Sequence, residues 1–396
     1  VRIAILTLSR EITFGAAIMK VAIMLRHLTQ HGGGVLVYSQ QLLKDLLSLE
    51  TSHEFVLIYN DKRFLGSYNQ FDHVREIAIE SSSPLLWDQW ALARLERREK
   101  FDVIFNPKYS VPLMARCPTV FVCHGLDWYV MPWGSKWVDR LSHMMLIPRY
   151  ARKATRIIAV SETTKEHLHQ YLGVPSGKVS TIYHGIDPKL KAPVSTDALD
   201  SLRKKHALPD QFLLYCGQIY PPKNFGRLLS AYAQVGPKLG IPLVIAGEHR
   251  WLCGKDLALI ETLGISSWVK RIGWVGREEL PALYRLAHAL LLPSLYESFG
   301  IPLIEAMACE CPVLTSNRFG TKEIVGDAGL LVEPEDVQDI ADGIHGICTD
   351  RSLRERLIQA GRKRAAGFSW TKCAQQTLDA LEQAACIDES TQLSRV

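Results

Sequence analysis

Glu297 and Glu305 stand with seven residues between them, and the stretch "ESFGIPLIE" carries Ser298, Phe299, Gly300 and Pro302 but no further charge. Proline suits the first turn of a helix, where a missing N–H costs nothing. A helix is therefore expected to begin near Gly300. Glu297 then falls in the loop that ends the apolar run "HALLLPSLY", and Glu305 within the first turns. The amides of Ser298, Phe299 and Gly300 would open outward from a positive helix end, and glycine lets the backbone approach a phosphate closely. Amides suit an anion, and a carboxylate on either side suits hydroxyls. A sugar nucleotide has that layout: hexose hydroxyls, diphosphate, ribose hydroxyls. In the plainer alternative Glu305 complements the helix dipole and Glu297 is a solvated loop residue. The stretch alone leaves both open.

The elements that must position these residues are legible as apolar runs. "EFVLIYN", "FDVIFNP", "PTVFVCH", "RIIAVS" and "KVSTIYHG" read as strands, with "PLLWDQWALARLERREK" and "SETTKEHLHQYLG" at helical spacing between them. Such alternation implies a parallel sheet with helices on both faces. "MKVAIMLR" (19–26) is the expected first strand, because it precedes the glycine turn and amphipathic helix of "HGGGVLVYSQQLLKDLL". Residues 1–18, broken by Arg2, Arg10 and Glu11, lack the pattern of a secretory leader and are expected to be an extension, with Met19 a candidate start. Residues 186–208 turn polar and read as a linker. A second series follows: "QFLLYCG", "PLVIAGE", "VKRIGWVG", "HALLLPS", "CPVLTS" and "AGLLVEP". Two similar α/β domains in tandem imply a cleft between them. At the end, "SWTKCAQQTLDALEQA" aligns Trp370, Ala374, Leu378, Leu381 and Ala385 on one helical stripe.

A length of 396 residues suits two domains, and 47% apolar with 22% charged residues is a globular balance. Charge is uneven: residues 1–185 carry 22 basic and 16 acidic side chains, and the remainder 24 and 25. The first half is the better face for an anionic partner. No apolar run is long enough to span a bilayer. The nine cysteines form no C-x-x-C pair, and "CEC" (309–311) crosses a helix end and a strand start, so reduced, buried thiols are expected.

"ESFGIPLIEAMACECPVLTS" followed by "GDAGLLVEP" resembles the signature of the retaining glycosyltransferases of family 4. Further pieces resemble the same family in the same order: "GGGVLVY" its N-terminal glycine loop, "RKATRIIAVSETTKEHLHQYLGVPSGKVSTIYHGID" its interdomain approach, "YCGQIYPPKNFGRLLSAY" its phosphate-binding turn. "WVGREELPALYRLAHALLLPS" and "FSW" continue the series. The resemblance implies a GT-B fold, with an N-terminal Rossmann-like acceptor domain (19–185), a donor domain (186–369) and a last segment (370–396) crossing back to complete the first. It implies that Glu297 holds hydroxyls of the donor sugar, Glu305 the ribose, and Lys223 the departing diphosphate, with amides of Ser298, Phe299 and Gly300 on the same phosphates. His124 in "VFVCHGLDW" would contact the donor sugar, though a histidine at a strand end is often structural. Gly33 and Gly34 would bring amides near phosphate or acceptor, or form a plain turn. The nucleotide-sugar would be the donor substrate with no cofactor, and no Asp-x-Asp metal motif is present.

This chain departs from the family pattern in three places. Gln218, after Gly217, and Pro222, before Lys223, are neutral where relatives commonly carry a base, so Arg250 or another arginine would have to help unless Lys223 and the amides suffice. The histidine motif reads His-Gly where many relatives have His-Asp. The segment 127–156 interleaves Trp128, Trp133 and Trp137 with Lys136, Arg140, Arg149, Arg152, Lys153 and Arg156. It suits either plain packing and solvation or an acceptor platform beside the anionic inner leaflet of a membrane, for a cytoplasmic enzyme using a lipid-linked glycan. The reading is a metal-independent, retaining hexosyltransferase, mannose or glucose in type, acting on a saccharide or glycolipid in polysaccharide biosynthesis. A GT-B sugar-nucleotide epimerase and a non-catalytic sugar-nucleotide-binding protein are the alternatives. A dehydrogenase is disfavoured, because "HGGGVLVY" lacks G-x-G-x-x-G spacing.

Overall fold

The computed structural model describes residues 18–28, 33–250 and 253–393. The expected extension therefore lies almost wholly outside the described residues. Two parallel sheets form. The first contains β1 (Lys20–Met24), β2 (Glu54–Tyr59), β3 (Val74–Ala78), β4 (Val103–Asn106), β5 (Thr119–Cys123), β6 (Arg156–Ala159) and β7 (Val179–Thr181), in the order β3-β2-β1-β4-β5-β6-β7. The second contains β8 (Leu213–Cys216), β9 (Leu243–Ala246), β10 (Val269–Gly273), β11 (Ala289–Leu292), β12 (Val313–Ser316) and β13 (Leu330–Val332), in the order β10-β9-β8-β11-β12-β13. Central strands such as β4, β5, β8 and β11 are buried along their whole length. Continuous apolar runs of this kind belong to parallel sheets covered on both faces.

Strand order reverses between β1 and β4 in the first sheet and between β8 and β11 in the second. At such a point the crossovers leave to opposite sides and open a crevice outside the carboxyl ends of the strands. The residues expected to bind ligand follow those ends: His124 after β5, Gly217 after β8, and Glu297 in the loop after β11. The topology thus gathers them at one edge of each sheet.

The closing helix, Trp370–Leu393, leaves the second sheet and packs on the first helix, Gly34–Leu46, and on β4 to β6. Trp370, Cys373, Ala374, Leu378, Leu381 and Ala384 are its buried stripe, with Ala384 taking the place expected for Ala385. His53 Nε2 meets Glu382 Oε1 at 3.0 Å, and Thr371 Oγ1 donates to Asp45 Oδ2 at 2.9 Å. Gly185 sits where the crossing chain is tightest, since a Cβ there would lie 2.0 Å from the Trp370 nitrogen.

Two stretches differ from the sequence reading. The polar segment 186–208 is not a bare linker: Thr196–His206 is a helix, capped by Ser195 Oγ accepting from Ala198 N at 3.3 Å. Only Leu202 of it is buried, so no apolar stripe announces it. β3, sequence VREIA, escaped notice because it is a half-exposed edge strand carrying Arg75 and Glu76. Charges on an edge are a common guard against unwanted pairing.

Candidate active site

A cavity of about 330 Å³ lies between the carboxyl ends of the two sheets. Its floor is the loop after β11. Gly300 adopts φ +87, a left-handed conformation that glycine accepts readily, and a Cβ there would lie 2.7 Å from Leu303 Cδ1. The helix Ile301–Ala308 starts immediately after it, with Pro302 in its first turn. Glu297, Ser298, Phe299, Gly300 and Glu305 all line the cavity.

Lys223 reaches the same cavity from the other side of the strand-order reversal, at the end of a 3-10 turn, Pro221–Lys223, in the chain that follows β8. Its ammonium is bonded to the Glu297 carboxylate, which also accepts from Ser294 Oγ at 3.0 Å. Burial pushes the Lys223 ammonium down, but Glu297 and Tyr220 outweigh it and hold the group above its ordinary value. The lysine therefore stays charged. Among the described residues Glu297 takes one of the three N–H donors of the ammonium, which leaves donors for a ligand.

Glu305 is 4% exposed. Its Oε2 accepts from Tyr284 Oη at 3.2 Å and its Oε1 from Arg277 Nη2 at 3.3 Å. Burial raises its carboxyl while Arg277 and Tyr284 oppose the rise. Each carboxylate oxygen retains a second lone pair for a hydroxyl. Arg277, Tyr284 and Trp274 border the cavity as well, and none of them was singled out in the sequence; Arg277 and Tyr284 act through contact with Glu305 across the fold.

From the first domain come His124, Gly33 and Gly34. His124 Nε2 lies 2.7 Å from the Pro107 carbonyl. A carbonyl only accepts, so Nε2 carries the proton and Nδ1 keeps a lone pair. Burial lowers its pKa to about 4, so the ring is neutral near pH 7. His184, quoted in "YHGID" without a role of its own, also lines the cavity. It is buried at 4.3 Å from the Phe299 ring, burial holds it well below its ordinary value, and among the described residues neither ring nitrogen has a partner. Gly33 precedes the first helix, and a Cβ on it would lie 3.2 Å from Gln218 Oε1. Gly34 faces Ile301. Gly217 lies against Gly247, where a Cβ would sit 2.0 Å from the Gly217 oxygen.

The three departures have physical causes or substitutes here. The Pro222 carbonyl accepts from Leu295 N at 2.8 Å, and its ring lies 3.4 Å from the place of a Cβ on Gly134. Arg277 supplies a guanidinium on the cavity wall, tied to Glu305, and Arg250 borders an adjoining cavity. Gly125 has φ +129, and a Cβ would lie 3.0 Å from Ser298 Cβ and 3.3 Å from Tyr296 Oη. An aspartate in that position would strike the loop bearing Glu297. Among the described residues no three His, Cys, Asp or Glu side chains form a metal-binding group.

Residues 24–190 match the family described as Glycosyltransferase Family 4, and residues 200–364 match Glycosyl transferases group 1. Together the two span both sheets. The chain belongs to the family 4 glycosyltransferases. The transferase is 29% identical over 368 residues to the O-antigen chain mannosyltransferase B of Escherichia coli, covering 88% of this chain and 95% of that protein. It is 31% identical over 232 residues to the serotype-specific mannosyltransferase WbdA of Escherichia coli, covering 57% of this chain but 28% of that protein. The crystal structure of Anabaena Alr3699/HepE in complex with UDP-glucose superposes with a TM-score of 0.75 at 20% identity, over 92% of this chain and all of that one. The transferase has the two-domain GT-B fold.

The two domains of the transferase are also clasped away from the cavity. The Glu323 carboxylate accepts from Glu162 N at 2.7 Å, Thr163 N at 2.9 Å and Tyr183 Oη at 2.9 Å. A side chain of the second domain thus caps a helix of the first, Glu162–Leu172. The nine cysteines are free thiols, seven of them buried.

Proposed function

We propose that the chain is a retaining, metal-independent hexosyltransferase that moves mannose from a nucleoside diphosphate sugar to a saccharide or lipid-linked glycan in polysaccharide or glycolipid biosynthesis. The observation carrying this reading is the Lys223–Glu297 pair at the tip of the Ile301–Ala308 helix. As the bond between the anomeric carbon and the phosphate oxygen breaks, negative charge gathers on the diphosphate. The Lys223 ammonium and the amides of Ser298 to Gly300 are placed to receive it, which supports catalysis without a divalent ion. Glu297, beside the leaving group, grips hexose hydroxyls, while Glu305, steadied by Arg277 and Tyr284, takes the ribose. The neutral His124 offers Nδ1 to the donor sugar. Glu297 is occupied by Lys223 and Ser294, which makes it a poor covalent nucleophile and favours front-side displacement with retention. Mannose is supported by the two mannosyltransferase relatives.

The outer side of the helix Trp137–Lys153 exposes Trp137, Val138, Leu141, Met144 and Met145 beside Arg149 and Arg152. Apolar side chains with a basic rim suit an anionic lipid surface, so the same proposal sets the protein against the cytoplasmic leaflet. Free thiols suit that reducing side.

A thermal-shift screen of GDP- and UDP-linked hexoses, followed by transfer to glycan acceptors, tests the main reading. A rise in melting temperature with one donor, and product only when acceptor is added, are expected. Turnover of donor without acceptor into another sugar nucleotide, or binding with no transfer to any acceptor, would overturn it.

A further inference from the structure

A second cavity, of about 470 Å³, opens beside the first and shares Gly33, Gly34, Gln218 and Tyr220 with it. One wall is the inner side of the helix Trp137–Lys153 and the residue before it: Lys136, Asp139, Arg140 and His143 line it at successive helical spacing. The opposite wall is Lys108 and Tyr109, after β4. Among the described residues neither Lys108, Lys136 nor Arg140 makes an ion pair, and the Arg140 Nε–H has no acceptor. The Lys108 ammonium faces the Tyr109 ring at 5.5 Å. Burial lowers the Lys108 pKa, Arg26 adds to the fall, Asp88 opposes it and Arg250 pushes it down again. Lys108, Lys136, Arg140 and Arg250 line the cavity against Asp127 and Asp139, so positive charge is in excess here.

The wall also contains an unpartnered polar group. Trp128 is 6% exposed and borders the cavity, and among the described residues its Nε1–H has no acceptor. Its ring is stacked on His143 at 4.4 Å and meets Tyr109 edge-on at 5.4 Å, so it cannot readily turn away. A buried N–H without a partner is costly, and a ligand hydroxyl or phosphate oxygen would satisfy it. Asp127 lines the same space, and burial, with a contribution from Glu297, raises its carboxyl. It therefore lies within electrostatic reach of the donor cavity.

We propose that this second cavity receives the acceptor as a saccharide bearing a phosphate group. This excess of cations over carboxylates fits an anion better than a neutral sugar. The phosphate lies among Lys108, Lys136 and Arg140, the Trp128 N–H takes a ring oxygen or hydroxyl, and Asp127 holds a hydroxyl toward the shared opening. The proposal rests on the transferase reading above and adds the substrate class. A free sugar phosphate and a lipid-linked one share this chemistry.

Isothermal titration separates the possibilities. With the donor cavity saturated by GDP or UDP, hexose 1-phosphate should bind at least about tenfold more tightly than the neutral methyl hexoside. The double variant Lys136→Ala/Arg140→Ala should lose about tenfold or more for the phosphate while still binding nucleotide, which shows that it is folded. Equal binding of the methyl hexoside, or undiminished binding of the phosphate by the double variant, overturns the proposal. A short-chain prenyl-linked hexose phosphate supports it in either direction of relative affinity: tighter binding than hexose 1-phosphate assigns the lipid source, weaker binding the free one. If neither nucleotide binds, the transferase reading fails on that measurement, and the comparison of hexose 1-phosphate between wild type and double variant still decides the cavity.

Discussion

Replacing Lys223 by alanine removes an ammonium that is bonded to the acidic loop and lines the cavity proposed to hold the diphosphate. Its side chain is 12% exposed and that of its partner Glu297 11%, so solvent screens the pair little. Two unit charges about 4 Å apart at an effective dielectric of about 20 interact by about 4 kcal/mol, roughly 10³-fold in rate at about 1.4 kcal/mol per decade. Loss of a single oxyanion-type donor elsewhere costs about 10² to 10³ in turnover. Alanine also leaves the Glu297 carboxylate facing the diphosphate without a counter-charge, which adds repulsion. The expected result is a fall in kcat of about 10² to 10³, with the far-ultraviolet circular dichroism unchanged. Lys223→Ala/Glu297→Ala should be less impaired than the product of the two single variants, because they act on one pair. Steady-state transfer with the donor found in the thermal-shift screen provides the assay, with active enzyme counted by nucleotide binding. A folded Lys223→Ala enzyme within about threefold of wild type would refute the reasoning, because the lysine would then only brace the loop.

Gly125→Asp, which restores the more common His-Asp pair, should weaken donor binding at least about tenfold by pushing Ser298 outward; unchanged donor affinity by titration would count against the tight contact at 3.0 Å. Glu323→Ala removes a cap and a tyrosine contact between the domains and should cost about 1–2 kcal/mol in urea unfolding, with a normal midpoint as the contrary result. The histidines give a pH dependence whose sign is fixed. His27 is lowered to about 3, His124 to about 4 and His184 well below its ordinary value, each chiefly by burial. They are neutral when folded and become protonated in the unfolded chain below about pH 6.5, so stability is full above that value and falls as pH drops toward 4, by about 1.4 kcal/mol per unit per histidine. A melting temperature flat from pH 7.5 to 5 would contradict their burial. Leu141→Glu/Met145→Glu should reduce co-sedimentation with anionic vesicles several-fold without changing nucleotide binding, and equal pelleting of both proteins would remove the membrane from the proposal.

What the sequence discloses here is whatever a short piece of chain decides for itself. The helix start at Gly300 follows from a glycine at positive φ and a proline in the next turn, so Glu297, Ser298, Phe299, Gly300 and Glu305 could be placed from nine adjacent letters. The parallel sheets were legible because strands buried on both faces have nowhere to carry charge; β3, at the edge, does carry it and was missed. The helix Thr196–His206 has one buried residue and no periodicity to detect. Pairings between distant segments left no local trace. Lys223 meets Glu297 across 74 residues, and Arg277 meets Glu305 across 28. This bears on the missing bases at Gln218 and Pro222. A motif can require a cation at a fixed place in the chain, but a diphosphate requires only positive charge within a few ångströms. The Pro222 carbonyl accepts from the Leu295 amide and its ring lies beside Gly134. Arg277, from a different loop and already paired with Glu305, can bring positive charge to the same cavity. On the proposed reading, neutralisation of the leaving group is a property of the folded cleft, and the neutral letters beside Lys223 do not argue against transfer.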